Sequence, residues 1–396
     1  MSVDFAADAT GTVDGRLFDC VQVNLAVLAD RWHGPGTHLR LGAALRFRPA
    51  PGTGSLPTVE EPAAVQLERA AGALGLTVRT RRTAGAGEVP APAEGRYVVA
   101  DAFHLPWVPY FGQRHMDHSF LLEPAADGGA VVVDGYHNET PWGSARPVRR
   151  PLDEAGVAAA VPAGALVVTF APDALPPSPH EPELDLADEE LTGQYVAAYA
   201  EHEDRVAALH RLTLETWLLA RARKLHARFL AGRGALPDDA AAHAHVQAWE
   251  TLAESIYLGY RRAERGRPEA RDLTVRLAEQ LHHDREVFGS APVRVPERSA
   301  AAPHAPVPDA LRASVAAAAG AVLRADPVAL LDGYALADVP GFTSFRVVEI
   351  VERLERELSL EFDADDLVPE NLHHVDGICR IVLRARTAAA ARLGGI

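Results

Sequence analysis

The chain has 396 residues, 48% of them hydrophobic, with 54 acidic against 39 basic side chains and a formal charge of −15. That balance excludes the basic footprint of a nucleic-acid binder, and no apolar run approaches the ~18 residues of a membrane span. Two cysteines, Cys20 and Cys379, exclude a disulfide framework, and the length suits two or three domains. The opening residues lack the basic and apolar segments of a secretory leader, so a reducing, cytoplasmic setting is expected.

The first element is GRLFDCVQVNLAVLADRW, residues 15–32. It reads as an amphipathic helix with Asp19 as N-cap, Cys20 in the first turn and Val23, Ala26, Val27 and Leu28 on the buried face. A thiol at a helix start has its pKa lowered by the dipole and the free N–H groups. The other reading is a structural cysteine, since free Cys is among the most buried residue types.

Four short apolar runs bounded by turn residues, three of them rich in Val, then predict strands at 96–103, 118–125, 129–136 and 164–172, with AADGG as a hairpin turn between the second and third. Residues 15–170 therefore form a mixed α/β unit whose later part is an antiparallel sheet. His118 opens one strand and Asp134 ends the next, so a hairpin brings them near each other. A cysteine on a helix, a histidine on a strand and a carboxylate on the neighbouring strand is the papain-type arrangement. In it the imidazole accepts the thiol proton or pairs with the thiolate. On spacing alone His104, His115 and His137 are also open as the base. Oxyanion donors are the backbone N–H of Cys20 and a neighbour, or the Gln22 side chain. Trp107, Tyr110 and Phe111 either wall an acyl or acceptor pocket or pack as a loop on the sheet, and His115 and Asp117 line the entrance. No spacing suggests a zinc site, so no metal is expected.

Residues 185–290 change texture, with apolar residues at three- and four-residue steps and few Gly or Pro, which predicts three to five helices. His243 and His245 there face different directions. A Pro/Ala-rich linker follows at 290–310. Then GFTSFRVVEIVERLERELSLEFDADDLVPENLHHVDGICRIV, residues 341–382, places Ser344 just ahead of an amphipathic helix. Val347, Val348, Ile350, Val351, Leu354 and Leu358 supply its apolar face. Glu349, Glu352, Glu355 and Glu357 dominate its exposed positions and offer a face to basic partners. Cys379 reads as a small core residue of the last helix.

Two resemblances organise these observations. The run DCVQVNLAVLADRWHGPGTHLRLG, followed by DAFHLPWVPYFGQRHMDHSFLL and VVVDGY, is similar to the butirosin-biosynthesis BtrH N-terminal-like family over about 1–175. That family is papain-like and cysteine-dependent, and it moves an aminoacyl group from a carrier thioester to an acceptor amine. The resemblance implies Cys20 as nucleophile, His118 as base and Asp134 as its orienter; Gln22, His115, Trp107 and Tyr110 stay the substrate-side candidates read from the residues themselves. Over roughly 308–392 the chain resembles the four-helix phosphopantetheine carrier domains. Ser344 matches their modified serine, with Thr343 where the family usually has Asp. This implies 4′-phosphopantetheine on Ser344, installed by a phosphopantetheinyl transferase.

The expected organisation is an α/β (α+β) papain-like catalytic domain at 1–178, an all-α helical domain at 179–292, a linker at 293–307 and a carrier-like four-helix bundle at 308–396. The expected function is an acyltransferase of natural-product metabolism that takes an acyl or aminoacyl group onto Cys20 and passes it to an acceptor. A cysteine thioesterase or cyclase and a non-catalytic carrier and docking protein are the alternatives. Implied partners are an acyl-loaded carrier protein or its loading enzyme and a small-molecule acceptor, with neither nucleic acid nor membrane. The 179–292 helices suit an acceptor pocket, a brace or a homodimer interface.

Overall fold

The computed structural model describes residues 11–85, 88–89, 95–125, 129–175, 183–236, 239–289, 307–331, 335–339 and 342–393. The protein is mixed α/β, with an antiparallel sheet and twelve α-helices among the described residues. It divides into two compact units: Met1–Arg48, Thr58–Leu186 and Leu218–Asp239 form the first, and Pro49–Pro57, Ala187–Trp217 and Ala240–Ile396 the second. No helix among the described residues is long and apolar enough to cross a membrane.

The first unit begins with helix α1 (Cys20–His33). Asp19 caps it by accepting from the backbone N–H groups of Val21 and Gln22. Val23, Leu25, Ala26, Val27 and Ala29 bury the inner face. The helix stops at Gly34, whose φ of 100° favours a residue without Cβ. Strand β1 (Ala44–Phe47) pairs in parallel with β8 (Glu183–Leu186). Between them come α2 (Ala63–Ala73), β2 (Leu76–Ala84), β3 (Arg96–Asp101), β4 (Asp117–Pro124), β5 (Ala130–Asp134), β6 (Val148–Leu152), α3 (Glu154–Ala160) and β7 (Ala165–Pro172).

The six strands β2 to β7 form one antiparallel sheet in the order β6-β5-β4-β3-β7-β2. All four expected strands are present. The central strand β3 buries Tyr97, Val98, Val99 and Ala100 in succession, as a strand covered on both faces does. The two edges, β2 and β6, were not legible from apolar alternation. Strand β2 reads LTVRTRRTA, with only its end residues buried, and β6 carries Arg149 and Arg150. Charged side chains on edges discourage pairing with another chain. Tip residues 126–128 of the expected hairpin turn lie outside the described residues.

Helix α1 packs across the sheet and is tied to it by polar bonds. The Tyr97 hydroxyl donates to Val21 O over 3.0 Å, and the Ser119 hydroxyl donates to Cys20 O. The C-terminal part of α5 (Arg205–Gly232) completes the unit. There Gly42 approaches the backbone so closely that a Cβ would stand 2.6 Å from Leu225 O.

The second unit holds the first part of α5 with α4 (Glu189–Ala200), α6 (Asp239–Ala263) and α7 (Leu273–Phe288), in line with the three to five helices expected. Buried His245 on α6 and Asp284 on α7 join these helices at 2.9 Å, while His243 is exposed. Then come α8 (Asp309–Leu323), α9 (Pro327–Leu331), α10 (Ser344–Leu358), α11 (Pro369–Leu372) and α12 (Val375–Leu393). Val315, Ala319, Val347, Ile350, Val351, Leu354, Phe362, Cys379 and Val382 make their core, and Leu258 of α6 belongs to the same cluster. Of the expected linker at 293–307, residues 293–306 lie outside the described residues.

Helix α10 corrects one expectation. Glu355 is not exposed but buried, because Arg262 and Arg267 meet its two oxygens. Glu352 is half-buried and paired with Arg265. The remaining acids, Glu349 and Glu357, pair with Arg346 and Arg353 of the same helix. The outer face is thus charge-balanced rather than acidic.

Candidate active site

Three elements bring the site together. Cys20 is the first residue of α1, His118 the second residue of β4, and Asp134 the last of β5. His118 and Asp134 are fully buried, and His118 Nε2 lies 2.7 Å from Asp134 Oδ2. The other ring nitrogen, Nδ1, is buried without a hydrogen-bond partner. The Cys20 sulfur lies over the start of the same strand, where its S–H donates to the Asp117 carbonyl oxygen over 3.6 Å. The residue chosen as base from its strand position is therefore the one that meets the carboxylate.

The carboxylate is held from several sides. Asp134 Oδ2 also accepts from Trp107 Nε1 at 3.1 Å. Its Oδ1 accepts from the Tyr136 backbone N–H at 2.9 Å and from Asn24 Nδ2 at 3.4 Å. Asn24 stands one helical turn after Cys20 and is fully buried. Its amide also donates to Ser119 O at 2.8 Å and accepts from the Gly135 N–H at 2.9 Å. One side chain thus fastens α1 to both β4 and β5.

A second support comes from α5. Arg221 donates to the carbonyls of Gly15, Phe18 and His137 and to Asn138 Oδ1. This fork joins the turn ahead of Cys20 to the segment after Asp134. Gly15 permits the approach, since a Cβ there would stand 2.3 Å from Gly135 O.

The electrostatics run against a simple helix-start thiolate. Burial, then the carboxylates of Asp19 and Asp134 and more weakly Asp117, push the Cys20 thiol well above its ordinary range. Its own backbone N–H opposes this. The helix start was expected to lower the thiol's pKa, but dehydration and three nearby anions outweigh it. Burial also raises the carboxyl of Asp19, despite its bonds from Gln22, Gln66 and Val21. Tyr97 and Tyr136 are pushed far up by burial, so both stay hydroxyl donors.

The remaining predicted residues fall in distinct places. Trp107 is half-buried, edge-on to Phe120 at 5.2 Å, and its indole N–H serves Asp134. Tyr110 is buried, with its hydroxyl 3.3 Å from that of Tyr136, whose ring meets His118 edge-on at 5.1 Å. Exposed Phe111 and Trp142 lie on the surface nearby in sequence and contact, Trp142 against Tyr110 at 5.9 Å. His115 is exposed, stacked on Phe103 and bonded to Asp101 at 2.6 Å rather than to Asp134. Half-buried Gln22 gives its backbone N–H to Asp19. His104 lies 4.0 Å from Asp101 and His137 is half-buried beside Arg146, neither at the carboxylate of Asp134.

Ser344 opens α10, and the capping oxygen comes from Thr343, whose hydroxyl accepts from the Arg346 N–H at 3.2 Å. Among the described residues no three metal-binding side chains converge.

Sequence reasoning missed Asn24, Ser119, Tyr136 and Arg221. Asn24 had a signal, a polar residue on the apolar stripe of a helix one turn from Cys20. Arg221 had none, being about two hundred residues away in the chain. No protein-family model matches the chain, and no curated protein matches it either.

Proposed function

We propose that the protein is a cysteine-dependent acyltransferase of natural-product metabolism, which accepts an acyl or aminoacyl group from a carrier-protein thioester and passes it to an acceptor nucleophile. The observation that carries this reading is the buried His118–Asp134 pair at 2.7 Å, with Nδ1 open on the imidazole and Cys20 on the adjoining helix start.

The chemistry follows from the positions. Asp134 holds the Nε2 hydrogen, which leaves Nδ1 as a lone-pair acceptor. His118 takes the Cys20 proton as the sulfur attacks the thioester carbonyl. The backbone N–H of Cys20, at the open start of α1, offers a donor to the oxyanion. The carrier thiolate leaves and takes the proton from His118, so the acyl group rests on Cys20. An acceptor amine or alcohol then loses its proton to His118 and attacks, and Cys20 is released as thiol.

In the same reading the C-terminal bundle is a carrier domain with phosphopantetheine on Ser344. A phosphodiester suits a residue at a helix start, where free N–H groups and the dipole favour an anion. When bound, the group supplies a thiol on a long flexible arm. Thr343 keeps the cap that holds this helix start in shape.

The test is intact-mass measurement of the full chain after incubation with an acyl-loaded carrier protein. An acyl adduct that disappears in Cys20→Ala is the expected result, and amide formation with added amines identifies transfer. Free acid alone would make it a thioesterase, and unchanged turnover in Cys20→Ala would remove the enzyme reading.

A further inference from the structure

We propose that the resting site holds an uncharged, disengaged pair, with the Cys20 thiol parked on the Asp117 carbonyl, and that a bound acyl thioester brings the sulfur onto His118 Nδ1. This rests on the acyltransferase reading and settles how its nucleophile is kept before substrate arrives. A papain-type site stores a thiolate against an imidazolium. The geometry here points the other way.

The Cys20 sulfur lies 3.6 Å from Asp117 O, within hydrogen-bond reach, and makes no hydrogen bond to the imidazole. His118 Nδ1 has no hydrogen-bond partner and is buried. A hydrogen on that nitrogen would be a buried donor without an acceptor, so the ring hydrogen sits on Nε2, against Asp134. There is thus neither an S–H···N bond nor an ion pair in the resting arrangement.

The surroundings agree from every element. Asp19 faces the sulfur from the α1 cap, Asp117 from β4 and Asp134 from the end of β5. Tyr97 of β3, and Tyr110 and Tyr136 beyond it, add hydroxyls that also sense the sulfur's charge. Arg221, the basic group near the turn before Cys20, directs its guanidinium at three carbonyls and the Asn138 amide oxygen. A thiolate would face three anions here, whereas a thiol donating to a carbonyl has its hydrogen satisfied.

The consequence is a nucleophile silent to electrophiles and oxidants until a carbonyl is in place. Proton transfer from Sγ to Nδ1 then accompanies C–S bond formation, and the same proton returns to the departing carrier thiolate. No charge separation is stored beforehand.

The experiment alkylates the full-length protein with iodoacetamide from about pH 5 to pH 10, following Cys20 by peptide mapping so that Cys379 does not contribute. The expected result is slow alkylation at neutral pH that climbs with pH without an acid-range plateau. His118→Asn should change the neutral rate by less than about threefold, whereas loss of a stored ion pair lowers it about a hundredfold. Fast alkylation on a plateau from acid pH, collapsing in His118→Asn, overturns the proposal. The wild-type profile decides the matter even if that variant fails to fold. Thioester turnover in the same preparation keeps the two ideas apart. Turnover with an ion-pair profile sinks only the resting state proposed here, and no turnover with a slow profile sinks the acyltransferase reading instead.

Discussion

Trp107 and His118 donate to one and the same oxygen. The indole Nε1 is 3.1 Å and the imidazole Nε2 2.7 Å from Asp134 Oδ2. The loop tryptophan therefore helps fix the carboxylate that holds the His118 ring. Trp107→Phe keeps a ring against Phe120 and removes only the N–H. The expected outcome is a stability loss of about 1 kcal/mol by urea denaturation, the value of one hydrogen bond. Turnover should fall about tenfold with little change in KM, because a loosened carboxylate misaligns the imidazole. Full turnover in this variant would show that Asp134 is held well enough by Tyr136 and Asn24 alone.

Asp19 tests the electrostatics of the thiol. Burial raises its carboxyl in the folded chain, so its contribution is fully present below the unfolded carboxyl pKa and is lost as pH rises through the folded one. Asp19→Asn keeps a good capping oxygen and removes that pH-dependent loss. The variant should therefore match the wild type at acid pH and gain on it toward neutral pH in denaturant titrations. Asp19 is also the largest charge acting on Cys20, so the thiol's midpoint should move down. Faster alkylation of Cys20 at neutral pH checks this, and an unchanged rate would show that Asp19 does not hold the thiol up.

The placement of Cys20, His118 and Asp134 was readable from sequence because all three sit at element boundaries. Asp19 marks a helix start, His118 enters a strand with the apolar run Phe120, Leu121 and Leu122, and Asp134 precedes a glycine at a strand end. Local rules of capping and alternation reach that far. They do not reach the supports. Nothing local tells that Asn24 turns its amide to two strands, or that Arg221 reaches back to Gly15. The edge strand LTVRTRRTA is likewise silent, since an exposed strand needs no apolar face. Glu355 was misjudged for a related reason. Its place on the polar stripe of α10 is local, whereas the arginines that bury it belong to α6 and the turn after it.

Arg221 acts through four acceptors on two segments, and its removal takes a donor from each of the Gly15, Phe18 and His137 carbonyls, Gly15 keeping the Phe18 N–H. Arg221→Ala should cost about 2–4 kcal/mol in a chemical denaturation series. Arg221→Lys keeps the charge but not the planar fork, so it should recover only part of that loss. Turnover should track the recovery, because the turn under repair leads directly into Cys20. A lysine variant with wild-type stability and turnover would mean that charge, not the fork, is what this position supplies.

The buried pair of Arg262 and Glu355 gives the sharpest contrast with the surface of the same helix. Glu355 Oε1 accepts from Arg262 Nη1 at 3.4 Å and from the Phe362 N–H at 3.0 Å, while Oε2 meets Arg267. Arg262 in turn donates to Pro268 O at 2.9 Å and Phe362 O at 3.0 Å. Glu355→Ala leaves a buried guanidinium without its anion and should cost about 3–5 kcal/mol. Glu355→Gln retains an acceptor for the Phe362 N–H and should cost less. Arg346→Ala and Arg353→Ala break exposed pairs of α10 and should each stay within about 1 kcal/mol of the wild type. Added salt should erase the small surface effects and leave the Glu355 effect standing, since buried pairs are weakly screened. Denaturation at low and high ionic strength separates the two classes, and equal small losses for all three alanine variants would show that the arginine cluster does not hold the bundle.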